Sequence, residues 1–151
     1  MRAAAIAALG CLVAACAGSP PRRPDDAATA RAFVDAIPAA LRERGPLAWV
    51  ELADPADFCM LSDGAVKFAD HDALRTAMAA FAPGVRGMAL RWHDLRVDPL
   101  GAGVAWFAAA YDESITNADG STAEFAGCVS GVLRRTNGAW AVTRLHWSRP
   151  L

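Results

Sequence analysis

His146 and Ser148 stand two residues apart near the end of the chain, and Arg144 precedes His146 by two. Residues two apart on a strand share a face, so an imidazole, a hydroxyl and a guanidinium are expected to project together. Asp112 supplies a carboxylate that strand pairing can bring beside them. Two chemistries use such parts. A serine activated by a histidine with a third, orienting group is the nucleophile of a hydrolase. An aspartate with a histidine can instead move protons next to a carbonyl, because a carboxylate in apolar surroundings has a raised pKa. The first is disfavoured: side chains on one strand sit side by side, and no Gly-x-Ser-x-Gly elbow is present. The second is opposed by Arg144, whose charge favours the ionised acid. Two other roles remain open for Asp112, Arg144, His146 and Ser148. They can orient a ligand, or they can satisfy one another as a buried polar network.

Other chemistry finds little support. His71, His93 and His146 fall on separate elements, and no His-x-x-x-His or Cys-x-x-Cys spacing occurs, so no metal is expected. Asp70-His71-Asp72 reads as a helix start. No phosphate-cradling glycine motif or dinucleotide fingerprint is present, and no cofactor is expected. The net charge is −1 with scattered basic residues, which argues against a nucleic-acid partner. Arg134-Arg135 reads as a solvated hairpin end.

The start of the chain carries an address. Met1-Arg2 is followed by an apolar run from Ala3 to Ala15 and then Cys16. A charged start, a short apolar core and small residues at the cut make a signal peptide. The run is about 13 residues, short of the roughly 20 that a spanning helix needs. The string Leu12-Val13-Ala14-Ala15-Cys16 resembles a bacterial lipobox, which implies lipidation of Cys16 and a membrane anchor. Ala17 after the cysteine, in place of an aspartate, then favours the outer membrane, facing the periplasm. Residues 17–24 are Pro-rich and polar and read as a tether. Residues 25–151 are long enough for one domain with its own core. Cys59 and Cys128 are the cysteines outside the leader. They either pair in an oxidising compartment or sit apart as small buried residues.

The elements that must position the chemistry follow from pattern. Ala30, Phe33, Val34, Ile37 and Leu41 have helical spacing, with Pro38 an awkward residue that would kink or split the helix. Gly45-Pro46 ends it, and Leu47 to Leu52 reads as a second short helix. Phe58–Leu61 and Ala65–Phe68 flank Ser62-Asp63-Gly64 as a small hairpin. Asp70 reads as the N-cap of a helix from His71 to Ala82. From Val85 on, a four-strand meander turns at Asp119-Gly120 and Asn137-Gly138, with a looser connection from Asp98 to Gly103. Helices followed by a meander make an α+β layout.

Opposed residues on paired strands share a face. Two-residue turns at Asn137-Gly138 and Asp119-Gly120 place Phe125, Gly127, Val129, Gly131, Leu133, Trp140, Val142, Arg144, His146 and Ser148 together with Trp106, Ala108, Ala110 and Asp112. Counting across the looser loop adds Arg91, His93 and Leu95. Glycines within strands mark bends or space for something else. An apolar floor with convergent polar groups describes a small-molecule site. The opposite face then carries Leu90, Trp92, Phe107, Tyr111, Cys128, Val132, Leu145 and Trp147. It is too apolar to face water, which predicts a homodimer through this face.

The order helices, hairpin, helix, meander, closing in Val132-Leu-Arg-Arg-Thr-Asn-Gly-Ala-Trp-Ala-Val-Thr-Arg-Leu-His-Trp-Ser148, resembles the SnoaL-like branch of the NTF2-like superfamily over Arg31 to Leu151. The resemblance implies a cone: a curved antiparallel sheet wrapped around the N-terminal helices, with a cavity on its concave side. The expected function is that of a membrane-anchored periplasmic protein binding a small apolar or amphipathic molecule. Its ligand residues would be Arg91, His93, Trp106, Asp112, Trp140, Arg144, His146 and Ser148. Some relatives are isomerases, cyclases or dehydratases, so the resemblance also admits a cofactor-free isomerase or lyase using Asp112 and His146. A third possibility is a non-catalytic protein-interaction module. With Tyr111 facing outward, the tyrosine-lined oxyanion site of steroid-isomerase-like relatives would be missing.

Overall fold

The computed structural model describes residues 24–150; the leader, Cys16 and the tether up to Arg23 lie outside them. Helix α1 spans Pro24–Arg44. Its buried stripe of Ala30, Val34, Ile37 and Leu41 repeats at intervals of three and four, as a helix packed on one side requires. The helix runs on through Pro38. A proline has no N–H for the carbonyl four residues earlier, here that of Val34. The Trp92 indole uses that oxygen, donating to it at 3.0 Å. Arg31 adds a bond to the Leu95 carbonyl at 3.1 Å. The residue that looked disruptive in sequence thus frees the acceptor that docks α1 on the sheet.

A 3₁₀ turn at Gly45–Leu47 leads into the short helix α2, Ala48–Leu52. Strands β1 (Cys59–Ser62) and β2 (Ala65–Phe68) form the small hairpin. Asp63 and Gly64 have φ of 49° and 83°, the left-handed pair of a two-residue hairpin turn. Helix α3 spans His71–Phe81, and the Asp70 carboxylate caps it by accepting from the Ala73 N–H at 2.8 Å. Strands β3 (Val85–Gly101), β4 (Val104–Asn117), β5 (Thr122–Thr136) and β6 (Ala139–Ser148) complete a curved sheet of six strands in the order β2-β1-β6-β5-β4-β3. One neighbour pair differs from the expected antiparallel pattern: β1 runs parallel to β6.

Two single-residue shifts overturn the expected register. Between β4 and β5 the last pair is Thr116 with Thr122, so the connection is the five residues from Asn117 to Ser121, not two. The Asn117 N–H donates to the Ser121 carbonyl at 2.8 Å and closes that loop. Asp112 therefore lies opposite Ala126, not Gly127. On β6, Leu133 pairs with Val142 but Val132 pairs with Arg144, so Thr143 is an extra, bulged residue. Beyond it, Leu145 and Trp147 share the face of Gly131 and Val129. A slip of one residue turns every following side chain to the other side of the sheet. A third irregularity on β3, between His93 and Arg96 where Asp94 has φ of 51°, returns Leu95 and Val97 to the core side.

The concave core consequently contains Leu90, Phe107, Tyr111, Leu145 and Trp147, which had been expected on the convex face. Gly127 and Gly131 make room for rings on β4. A Cβ on Gly131 would come within 2.5 Å of the Phe107 ring, and one on Gly127 would meet the Tyr111 ring at 3.0 Å. The convex face carries Arg91, Asp112, Arg144 and His146, all exposed, with Ala108, Ala110 and Cys128 between them. Of the side chains that motivated a sheet-to-sheet dimer, Leu90, Trp92, Phe107, Tyr111, Leu145 and Trp147 pack in the core, and Cys128 and Val132 stay on the convex face. Cys59 and Cys128 are free thiols, the first half-buried and the second exposed.

Candidate functional site: the concave cavity

The concave side of the sheet, α2, α3 and the β1–β2 hairpin enclose a cavity of about 290 Å³. Trp49, Phe58, Met60, Leu74, Met78 and Trp147 supply much of its apolar wall. Trp147 is the hub. Its ring centroid lies 4.4 Å from that of Tyr111, 5.8 Å from that of Trp49 and 6.1 Å from that of Trp92.

Four polar side chains matter to this cavity. Tyr111 is 1% exposed, and its hydroxyl has no hydrogen-bond partner among the described residues. The indole of Trp147 lies beside it without reaching hydrogen-bond geometry. Burial pushes the phenol above its ordinary 10.0, against a weaker opposing effect of Trp147. Glu113 is two residues further along β4 and lines the same cavity. Burial likewise raises its carboxyl above the usual 4.5, with the Arg149 charge pulling the other way. Arg149, just past β6, lines the cavity and is held by Asp63. Its Nη2 and Nε donate to Asp63 Oδ2 at 2.8 and 3.2 Å, and its backbone N–H donates to Oδ1 at 2.9 Å. The guanidinium also stands 5.6 Å from the centroid of the Phe125 ring. This grip holds the Asp63 carboxyl below its usual range. Lys67 of β2 is the other cation on the lining.

The raised Glu113 pKa has a consequence for stability. The folded protein holds this proton more tightly than the unfolded chain, so folding stability falls as pH rises from 4.5 through the raised value. Glu113→Gln removes the buried charge and keeps the shape. It is expected to raise Tm at pH 7, with the difference from the parent vanishing by about pH 4. A variant less stable than the parent at pH 7 would contradict this account of Glu113.

The residues expected from sequence are not brought together here. Asp112 lies on the convex face, where its Oδ2 meets His93 Nε2 at 2.6 Å, so its histidine partner is His93 and not His146. Arg91 pairs with Asp112 across β3 and β4 and is exposed. Trp106 sits opposite Val132 on the same outer face. Arg144 binds Asp57 at 2.6 Å on the exterior and holds that carboxyl below its usual range. His146 is exposed opposite Ser130, and the Ser148 hydroxyl donates to the Cys128 carbonyl at 3.3 Å. Trp140 does face inward, but toward the start of α1, where its indole donates to Thr29 Oγ1 at 3.0 Å. Asp112 and His146 both lie on the exposed convex face, Asp112 against His93 and His146 opposite Ser130, so the expected acid–base pair is not in the cavity. The five-residue loop after β4 and the bulge at Thr143 together are the physical reason. Sequence reasoning missed Tyr111 and Glu113 by one position. The signal was the polar string Asn117 to Ser121, which favours a longer loop over a tight turn.

Arg135 is not a solvated hairpin end. Its guanidinium contacts Asp26 Oδ1 at 2.6 Å, where Asp26 is 1% exposed. Arg134 reaches Asp57 at 2.9 Å. Among the described residues no cluster of His, Cys, Asp or Glu could hold a metal ion.

A curved sheet closed over helices around an apolar cavity is the NTF2-like cone. The chain matches the SnoaL-like domain model over residues 30–151 and belongs to that family, as the closing motif indicated. Solved structures share the fold. A proposed aromatic ring hydroxylase from Novosphingobium aromaticivorans aligns with a TM-score of 0.72 at 16% identity, covering 87% of this chain and 93% of that one. An NTF2-like superfamily protein from Salmonella enterica gives 0.69 at 12%, covering 84% and 92%. A proposed dehydratase of the NTF2-like family from Streptomyces avermitilis gives 0.69 at 16%, covering 85% and 99%. At these identities the likeness concerns the fold alone. No curated protein matches the chain in sequence.

Proposed function

We propose that the protein binds a small, mostly apolar molecule in the concave cavity, with the polar end of the ligand at Tyr111 and Glu113. The observation that carries this reading is a mostly apolar cavity of about 290 Å³ lined by Tyr111, whose buried hydroxyl has no hydrogen-bond partner among the described residues. A buried hydroxyl without a partner costs on the order of 1–3 kcal/mol, and a ligand oxygen would relieve that cost. Apolar cavities of this size with few polar groups are the usual form of small-molecule sites. The leader supports the further reading that lipidation at Cys16 holds the protein at the outer membrane, facing the periplasm.

A ligand that binds only the folded state stabilises it by mass action, by about 2.7 kcal/mol at a hundredfold excess over Kd. Apolar compounds of one to three rings are therefore expected to raise Tm in a concentration-dependent way. Absence of any shift across such a set, up to solubility, would overturn the binding reading. Anchoring is tested separately: Cys16→Ser should move the protein from the membrane fraction to the soluble one, and an unchanged distribution would count against lipidation.

A further inference from the structure

Few of the residues that line the cavity reach water. The exposed ones are Lys67 on β2, Phe81 at the end of α3 and Arg149 after β6, and they mark its mouth. Lys67 makes no hydrogen bond or ion pair among the described residues, so nothing fixes its position. Arg149 differs in being held from two sides. Asp63, at the tip of the β1–β2 hairpin, accepts from its Nη2, its Nε and its backbone N–H. On the other side the guanidinium stands 5.6 Å from the centroid of the Phe125 ring of β5, itself a lining residue. A long side chain that would otherwise sample many rotamers is thus stretched between hairpin and sheet at the opening.

The holder is fixed independently of what it holds. The Asp63 N–H donates to the Trp147 carbonyl at 3.2 Å, and the Ser62 hydroxyl donates to Asp63 Oδ2 at 3.2 Å. Asp63 does not line the cavity. The side chains of Arg149 and Asp63 are 52% and 36% exposed. Ion pairs so open to water hold weakly, so this grip can break and re-form while the hairpin stays in place.

We propose that the Arg149 side chain gates the cavity, with Asp63 as the catch that keeps it at the mouth. Held, the guanidinium narrows the passage between the hairpin and β5. Released into solvent, it leaves the passage clear for a ring compound. Asp63 touches no ligand and is a positioning residue that acts through Arg149. The inference rests on the ligand-binding reading above and adds to it how the occupant enters and leaves. A gate that opens equally often with and without ligand scales entry and exit by the same factor, so it changes rates and not Kd.

Stopped-flow fluorescence of the full chain with N-phenyl-1-naphthylamine tests this at pH 7. The probe is uncharged, so losing a charge at the mouth does not alter its steering. Asp63→Asn keeps a residue suited to the left-handed turn and an acceptor for the Arg149 N–H, and removes the charge that grips the guanidinium. Association and dissociation rates are both expected to rise about tenfold, as for an open state populated at about 10% in the parent, with Kd unchanged. Arg149→Ala removes the gate itself and should give the same rise. Asp63→Asn added to Arg149→Ala should then change nothing further. A role for Asp63 in hairpin shape alone would instead speed exchange in that background too. Rates in Arg149→Ala equal to those of the parent, or additive effects of the two substitutions, would overturn the gate while leaving the cavity a binding site. Failure of the parent to bind the probe would remove the binding reading itself, and this inference with it.

Discussion

Replacing Arg135 by leucine is expected to destabilise the protein by about 3–5 kcal/mol, because it strands a buried carboxylate. Asp26 is 1% exposed on the first turn of α1, and Arg135 at the end of β5 is 19% exposed at its side chain. Asp26 also accepts from the Gly103 N–H at 2.9 Å, in the connection between β3 and β4. One carboxylate thus ties together the start of the helix and two turns of the sheet. Among the described residues, removing the guanidinium leaves the buried Asp26 carboxylate with the Gly103 N–H as its remaining donor. It also removes the cation that stands 5.5 Å from the centroid of the Trp140 ring. For a chain of this size the loss corresponds to a fall in Tm on the order of 10 °C. Adding Asp26→Asn to Arg135→Leu should recover part of the loss, since the buried charge is then gone. Arg135→Leu within 1 kcal/mol of the parent in urea unfolding would show that Asp26 is not buried as described.

Trp147 gives the second large effect. It is 8% exposed and in ring contact with Trp49, Trp92 and Tyr111. Trp147→Ala should cost about 3–5 kcal/mol, the usual range for emptying a large aromatic from a core. His146→Ala, one residue earlier, should cost less than about 0.5 kcal/mol, because that side chain is exposed on the convex face. The pair of variants tests the register directly. A two-residue turn with no bulge would place His146 inside and Trp147 outside, and would reverse the order of the two effects. Because Trp147 also lines the cavity, Trp147→Ala enlarges the binding space. Ring compounds too large for the parent should then raise the Tm of the variant more than that of the parent, by mass action.

The sequence by itself determined the elements and their order. The helical spacing of Ala30, Val34, Ile37 and Leu41, the Asp70 cap and the left-handed turns at Asp63-Gly64 and Asn137-Gly138 are local signals. Each acts within a few residues, so each is readable without knowing what lies nearby in space. The closing motif also pointed to the SnoaL-like family, and the matched domain model agrees. On β5 the inward face from Phe125 to Leu133 was legible for the same reason: alternation needs only one strand.

Only the tertiary structure decided which side chains of β4 and β6 reach the cavity. Alternation has a period of two, so one extra residue reverses a whole strand. The five-residue loop from Asn117 to Ser121 moved Tyr111 and Glu113 inside and Asp112 outside. The bulge at Thr143 did the same for Trp147 and His146. That bulge is set by non-local contacts: Thr143 is 4% exposed, and the Val142 carbonyl accepts from the Asp54 N–H at 2.9 Å. Pro38 makes the same point, since its effect on α1 is absorbed by the Trp92 indole 58 residues away from Val34. Spacing along the chain specifies what each segment becomes. Which face a segment presents depends on how neighbouring strands count against it, and that count is fixed only when the sheet, the helices and their hydrogen bonds are in place together.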